Sequence, residues 1–426
     1  MTQLHFPKGF YWGAATSSHQ VEGGMNNDWT KWELDNAERL AKGASIKWTK
    51  WQQEKFPEMF DPQNYISGNA AGHYHRYQED FDIAQSLGHN AHRFSIEWSR
   101  IEPEEGKFDE KEIEHYRQVI FALRQRNIEP FVTLWHWPNP IWIGEMGAWK
   151  NKKTARYFIR YAERIFSEYK DLVKFWIPLN EPGTEVSLGY LFGNQPPGLK
   201  SKLAANRAFK NLMQVQKDIY RLAKSISPDF QVGCSHFMFD IKPSDRLPWN
   251  IIAARIIDYF ANHRFFKSFR ESCDFFGIQY YQPFHVNLRL GGHFMGLFEN
   301  KKTIDWHNDL NWQIFPEGIY NVLKKAAKNG KPIYITENGL ADSADEHREK
   351  FIKEHLKFVQ KAIAEDVDVR GYFHWSLMDN FEFVEMRGFW PRFGLVEIDY
   401  KTQKRTIRKS AYAYAKVCKN NFLEIE

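Results

Sequence analysis

The chain has 426 residues, 43% hydrophobic and 26% charged. That balance fits a soluble globular protein with a large core and excludes a disordered, fibrous or membrane-embedded chain. The net charge of +5, from 58 basic and 53 acidic residues, is too mild over so large a surface to point to a polyanionic partner.

Short apolar or β-branched runs alternate with longer amphipathic stretches. In chain order the predicted strands are Phe10–Ala15, Ala91–Glu97, Pro130–Trp135, Leu172–Leu179, Gln231–His236, Phe275–Tyr281, Ile333–Glu337 and Arg370–Trp375. Predicted helices cover Tyr74–Leu87, Glu110–Arg126, Thr154–Tyr169, Ala204–Ala223, Gly318–Ala327 and Glu346–Ala364. In the first of these Tyr74, Tyr77, Phe81, Ala84 and Leu87 form one apolar stripe, and Gly88 suits a left-handed cap. Parallel neighbours need crossover connections, so eight strands interleaved with helices imply an α/β fold, a single (β/α)8 TIM barrel with its active site at the C-terminal ends of the strands. A doubly wound open sheet is the alternative; against it, no GxGxxG follows the first strand and no Walker loop occurs. No Pro/Gly/Ser linker or composition shift divides the chain, which predicts one catalytic domain over 1–426. Pro178, inside the fourth strand, cannot donate to a ladder, so either a bulge falls there or the strand ends early.

Cys234, Cys273 and Cys418 are few, odd in number and far apart, with no spacing for a metal site, which favours a reducing compartment. The first residues show neither a basic n-region nor an apolar h-region, and no run of about 18 apolar residues exists to span a bilayer. The expected setting is cytoplasmic, with no cofactor, no metal, no membrane and no nucleic acid as partner. The densest basic stretch, Lys401–Lys409, reads as a solvated face or strand-connecting loop, since no nucleic-acid module accompanies it. The 16 tryptophans matter beyond core packing, because an indole offers a flat apolar face and one N–H to a sugar.

Two segments share a form, an apolar strand ending in a carboxylate before a turn-former. They are Phe175-Trp-Ile-Pro-Leu-Asn-Glu-Pro182 and Lys331-Pro-Ile-Tyr-Ile-Thr-Glu-Asn-Gly339. Strands four and seven lie roughly opposite in such a barrel, so Glu181 and Glu337 would face each other across its mouth. A facing carboxyl pair is what glycoside hydrolysis needs: one gives a proton to the leaving oxygen while the other attacks the anomeric carbon or activates water. Taken singly, each glutamate fits a solvated strand end as well.

Further segments bear on the choice. They are Phe10-Tyr-Trp-Gly-Ala-Ala-Thr-Ser-Ser-His-Gln-Val-Glu-Gly23, His92-Arg-Phe-Ser-Ile-Glu-Trp-Ser-Arg100, Thr133-Leu-Trp-His-Trp137 and Leu179-Asn-Glu-Pro182. Beyond them come Gly189-Tyr-Leu-Phe-Gly193 with Pro196-Pro-Gly198, Tyr334-Ile-Thr-Glu-Asn-Gly339, Trp375-Ser-Leu-Met-Asp-Asn-Phe-Glu382 and Arg392-Phe-Gly-Leu395. Carried in this order from Phe6 to about Tyr414, they resemble family 1 of the glycoside hydrolases, the β-glucosidase type. The resemblance implies a retaining β-glycosidase with Glu181 as acid/base and Glu337 as nucleophile. It places Arg93 and Tyr281 beside the nucleophile and Asn180 at the sugar 2-hydroxyl. Gln20, His136 and Glu382 would hold the glycone, with Trp375 as stacking platform and Phe383 at the adjoining position. The implied partner is a small β-glycoside or oligosaccharide, with a homo-oligomer left open. Relatives that cleave 6-phospho-glycosides carry a serine near Glu382, and a carboxylate there repels phosphate, so an unphosphorylated sugar is expected.

Three positions depart from the family pattern. Gln279 stands where Asn usually precedes Tyr-Tyr, Phe383 where Trp usually follows the glutamate, and Pro178 where a residue able to donate is usual. The missing indole N–H predicts weaker discrimination at one ring hydroxyl, among glucoside, galactoside and fucoside. Two other classes stand beside the hydrolase: a sugar-binding barrel of the same fold with little or no turnover, and a barrel metallohydrolase, which the absence of clustered His/Asp ligands disfavours.

Overall fold

The computed structural model describes residues 2–288 and 306–425, with the backbone of 298–299. Residues 289–297 and 300–305, inside the span expected to be one domain, lie outside the described residues. Eight parallel strands close into a barrel: β1 (Tyr11–Ala15), β2 (Ala91–Ser95), β3 (Glu129–Trp135), β4 (Phe175–Leu179), β5 (Gln231–Phe237), β6 (Phe275–Gln279), β7 (Ile333–Gly339) and β8 (Val369–Trp375). Sequence neighbours pair throughout, and β8 closes on β1 from Gly371–Tyr11 to Trp375–Ala15. Each predicted strand matches one of these to within a few residues.

Helices follow the strands: α1 (His73–Ser86), α2 (Glu110–Gln125), α3 (Lys152–Tyr169), α4 (Lys202–Ile226), α5 (Pro248–Asp258), α6 (Glu317–Ala327), α7 (Arg348–Ala364) and α8 (Lys409–Asn420). The apolar stripe of α3 shows how they attach. Phe158, Tyr161, Ala162, Ile165 and Phe166 are buried in the main core, while Asn151 caps the helix by accepting from Lys153 N. Gly88 ends the α1 segment at φ +78°, as a left-handed cap requires.

The barrel interior has a floor of rings and a roof of polar groups. Phe131 stacks on Phe175 at 4.2 Å, Phe275 meets Tyr334 edge-on at 4.9 Å, and Phe373 meets Phe131 at 4.8 Å. Gly233 makes room, since a Cβ there would come within 2.2 Å of the Phe275 ring. Side chains alternate along a strand, so the inward residue two places on from each floor position lies one layer higher. That step turns Ala91 into Arg93, Phe131 into Thr133, and Gly233 into Ser235.

Pro178 stays within β4. Its register with β3 passes from Thr133–Ile177 to Trp135–Leu179, leaving out the rung at Pro178, and pairing with β5 stops at Trp176. Beyond the skipped rung the backbone bonds resume, Asn180 N donating to Trp135 O at 2.9 Å and Glu181 N to Ser235 O at 3.2 Å.

Several elements lay outside the sequence reading. Asp28–Lys47 is a 20-residue helix between β1 and α1. The basic stretch Lys401–Lys409 is more structured than a loop: Lys404–Ile407 pairs antiparallel with Val396–Asp399. Within it Arg405 Nε bonds Asp80 at 2.9 Å and Arg408 Nη2 bonds Asp379 at 2.7 Å, all four side chains buried. These cations are spent inside the protein. The three cysteines are free and buried.

Candidate active site

Glu181 follows β4 in a left-handed conformation, φ +41°, with Pro182 opening the next short helix. A non-glycine residue held there stores strain, a frequent property of functional positions. Glu337 lies inside β7, where the register with β6 shifts between Ile335 and Glu337. Such a bulge re-aims a side chain, and here the carboxylate meets the donors of the roof layer.

The Glu337 carboxylate is held at both oxygens. Oε1 accepts from Arg93 Nη1 and from Gln279 Nε2 at 2.8 Å, and Oε2 accepts from the Tyr281 hydroxyl at 2.7 Å. Arg93 also donates to Thr133 Oγ1 at 3.2 Å and to Asn180 Oδ1 at 2.7 Å. Ser235 Oγ (2.9 Å) and Gln279 Nε2 (2.9 Å) add two more donors to that same Asn180 oxygen. The amide orientation is thereby fixed, with Nδ2 turned toward His136 Nε2 at 3.1 Å. His136 accepts on Nε2 and so carries its proton on Nδ1. Burial and the Arg93 cation keep the imidazole neutral, far below its usual pKa.

The remaining predicted residues adjoin this cluster. Trp375 stacks on His136 with ring centroids 6.0 Å apart. Gln20 is locked by Ser17 on its oxygen and donates to Asn380 Oδ1 and Phe381 O, both at 2.9 Å, just before Glu382. Glu382 is buried, and its Oε1 accepts from Val384 N at 3.1 Å. Phe383 is almost fully buried, 4.5 Å from Trp29 and 5.1 Å from Trp137 between ring centroids, so its ring packs within the core.

The two strand-end glutamates titrate differently. Burial and the facing Glu337 carboxylate push Glu181 well above the ordinary glutamate range. Burial raises Glu337 too, but Arg93 and the Tyr281 phenol oppose it. Glu337 therefore ionises first while Glu181 keeps its proton, which separates an acid from a nucleophile. Burial lifts Glu382 to about 7, with the Arg387 cation working the other way.

Ser235 and Thr133 were missed from sequence. Both are small hydroxyl residues at inward positions of predicted strands, one step above the ring floor, and that alternation was a usable signal. Gln279, the departure expected to help orient the region around Glu337, donates directly to the Glu337 carboxylate. Among the described residues, no group of three or more His, Cys, Asp and Glu could hold a metal ion.

A sequence profile described as glycosyl hydrolase family 1 matches residues 2–270 and 257–423. β-Glucosidase A of Thermotoga maritima is 33% identical over the whole of both chains. Among solved structures, a β-glycosidase from Pyrococcus horikoshii is 35% identical with a TM-score of 0.88, covering 100% of this chain and 97% of that one. The Thermotoga maritima β-glucosidase in complex with deoxynojirimycin is 31% identical with a TM-score of 0.84, covering 99% and 100%.

Proposed function

Because the chain belongs to glycosyl hydrolase family 1, we propose that Glu337 is the nucleophile and Glu181 the acid/base of a retaining β-glycosidase acting on unphosphorylated β-glucosides or β-galactosides. The observation that carries the assignment is the asymmetry of the pair. Glu337 is gripped by a guanidinium, an amide and a phenol, whereas Glu181 holds its proton to higher pH.

In the first step a Glu337 oxygen bonds to the anomeric carbon as the glycosidic bond breaks, and Glu181 gives its proton to the departing oxygen. Forming the ester removes the negative charge that adds to burial in raising the Glu181 pKa, so the Glu181 pKa falls and its carboxylate, left by the proton transfer, can act as base. In the second step Glu181 takes a proton from water, the water oxygen bonds to the anomeric carbon, and the Glu337 ester bond breaks. The sugar leaves with its original configuration and both glutamates return to their starting states.

Asn180 is the donor for the sugar 2-hydroxyl, a contact that strengthens in the transition state. With three donors fixing its oxygen, its Nδ2 cannot swing away from the glycone side. Gln20, His136 and Glu382 supply the remaining polar contacts, Glu382 spanning two neighbouring hydroxyls such as O4 and O6. Trp375 offers its face to the sugar ring. A phosphate beside the Glu382 carboxylate would be repelled, which supports an unphosphorylated glycone. The substrate is a small glycoside, the working unit is one catalytic domain over 1–426, and the setting is cytoplasmic.

A panel of nitrophenyl β-glycosides, plain and 6-phosphorylated, tests this reading with wild type and Glu337→Ala. Hydrolysis of the plain glucoside or galactoside that vanishes in the variant is expected. Turnover confined to the phosphorylated sugars would overturn the substrate assignment. A wild type that binds glucoside without cleaving it would make the chain a sugar-binding barrel.

A further inference from the structure

The outer face of α5 is apolar where a water-facing helix should be polar. Trp249, Ile252, Ile256, Tyr259 and Phe260 stand 46%, 56%, 53%, 48% and 60% exposed. Their spacing of i, i+3, i+7, i+10 and i+11 makes one stripe, carried past α5 by the π-turn Tyr259–His263. The opposite face accounts for the helix's own attachment, since Ala254 packs with Ile241 and Val286 and Asn250 is buried. Among the described residues the stripe is therefore not what attaches the helix. Scattered exposed apolar residues need no explanation, but five large ones in a continuous row mark an interaction surface.

Cations flank the row. Arg255, Arg264 and Lys267 are exposed and form no ion pair among the described residues, while the nearby Asp258 is taken up by Lys325 at 3.0 Å. Beside the stripe opens a groove of about 460 Å³ lined by Tyr259 and Phe260 and by three cations, Lys217, Arg264 and Lys267, against one carboxylate, Glu271.

We propose that this face docks on the surface of an anionic lipid bilayer. An interfacial helix sinks an apolar row with aromatic residues to the level of the headgroups while its flanking Lys and Arg meet their negative charge. A second copy of the chain fits less well. Two-fold pairing sets a patch against itself, which brings Arg255, Arg264 and Lys267 toward their own counterparts. An acidic protein surface would satisfy the cations but not a row of five large apolar side chains. Docking of this kind requires no spanning segment, and among the described residues no helix is long and apolar enough to cross a membrane.

The test is sedimentation of the full chain with phosphatidylcholine vesicles and with vesicles of equal phosphatidylcholine and phosphatidylglycerol. At least about tenfold more protein should pellet with the anionic vesicles, falling several-fold in about 0.5 M salt. The triple variant Trp249→Ser, Ile256→Ser, Phe260→Ser should lose about tenfold of that binding while hydrolysing a soluble nitrophenyl glucoside as wild type does. Arg255→Glu with Lys267→Glu should also release the protein. No enrichment on anionic vesicles overturns the proposal. So does enrichment that the triple variant leaves intact, which would be charge attraction alone. A wild-type dimer that the triple variant converts to monomer, without vesicle binding, assigns the face to a second copy and likewise overturns it.

Discussion

Arg93 and Gln279 donate to the same two oxygens. Both reach Glu337 Oε1, and both reach Asn180 Oδ1, at 2.7 Å from Arg93 and 2.9 Å from Gln279. Glu337, the proposed nucleophile, and Asn180, proposed to sense the 2-hydroxyl, are thus tied through two bridges, one charged and one neutral.

Removing one bridge should leave the other. Gln279→Ala is expected to lower kcat/KM about tenfold to a hundredfold, the usual cost of losing a group that orients a reacting residue. Removing the charged bridge, Arg93→Met, should cost more, about a thousandfold, because the developing charge changes at Glu337 are no longer balanced. Steady-state kinetics on an aryl β-glucoside rank the two, and an equal loss would contradict the distinction between them.

The pH profile should be bell-shaped, rising as Glu337 ionises and falling as Glu181 loses its proton. Burial raises both groups, so both limbs stand above the ordinary glutamate range. Arg93 lowers the Glu337 pKa, and its removal must move the rising limb to higher pH. Glu181→Gln should abolish the falling limb, with residual rates measured on a glycoside whose leaving group needs no proton. Azide should then rescue turnover and give a β-glycosyl azide. A rising limb that stays in place without Arg93 would detach the guanidinium from Glu337 ionisation.

Stability should also respond to pH through Glu382. Its folded pKa of about 7 lies above the unfolded 4.5, so its contribution is complete below 4.5 and is lost as pH climbs through 7. Glu382→Gln removes the ionisation. The Tm of this variant relative to wild type should therefore rise between pH 5 and pH 8. A constant Tm difference across that range would mean that Glu382 is not strained by burial.

Phe383 constrains the obvious attempt to restore the missing indole. Its ring is enclosed by Trp29, Trp137 and His136. Phe383→Trp should overpack the site and cost about 1–3 kcal/mol, read from denaturant unfolding. Wild type should discriminate weakly among glucoside, galactoside and fucoside, within about a factor of ten in kcat/KM, since one hydroxyl contact is worth about that much. A strict preference for glucoside would show that another donor replaces the indole.

The barrel was legible because its strands are continuous apolar runs and its outer helices carry apolar stripes. The helix Asp28–Lys47 was not, and its buried face explains why: Trp29, Glu33, Ala37, Ala41 and Ala44 give little hydrophobic contrast. Glu33 is inside only because it bonds His19 at 2.6 Å and Ser67, a partnership between distant segments. Geometry unites the candidate residues read from sequence at the barrel mouth. Their hydrogen-bond logic was not readable, because Ser235 and Gln279 become donors, and Thr133 an acceptor for Arg93, only when closure brings six strands together. The stripe on α5 escaped notice for another reason: apolar spacing on a helix reads as core until the packing shows which face is covered.

In the proposed mechanism Glu337 forms the bond to sugar. Reaction with a 2-deoxy-2-fluoro β-glucoside bearing a good leaving group, followed by mass analysis of peptides, should place one fluorosugar on Glu337 and leave Glu337→Gln unlabelled. A fluorosugar on any other residue, or undiminished hydrolysis of aryl glucosides by Glu337→Ala, would contradict it.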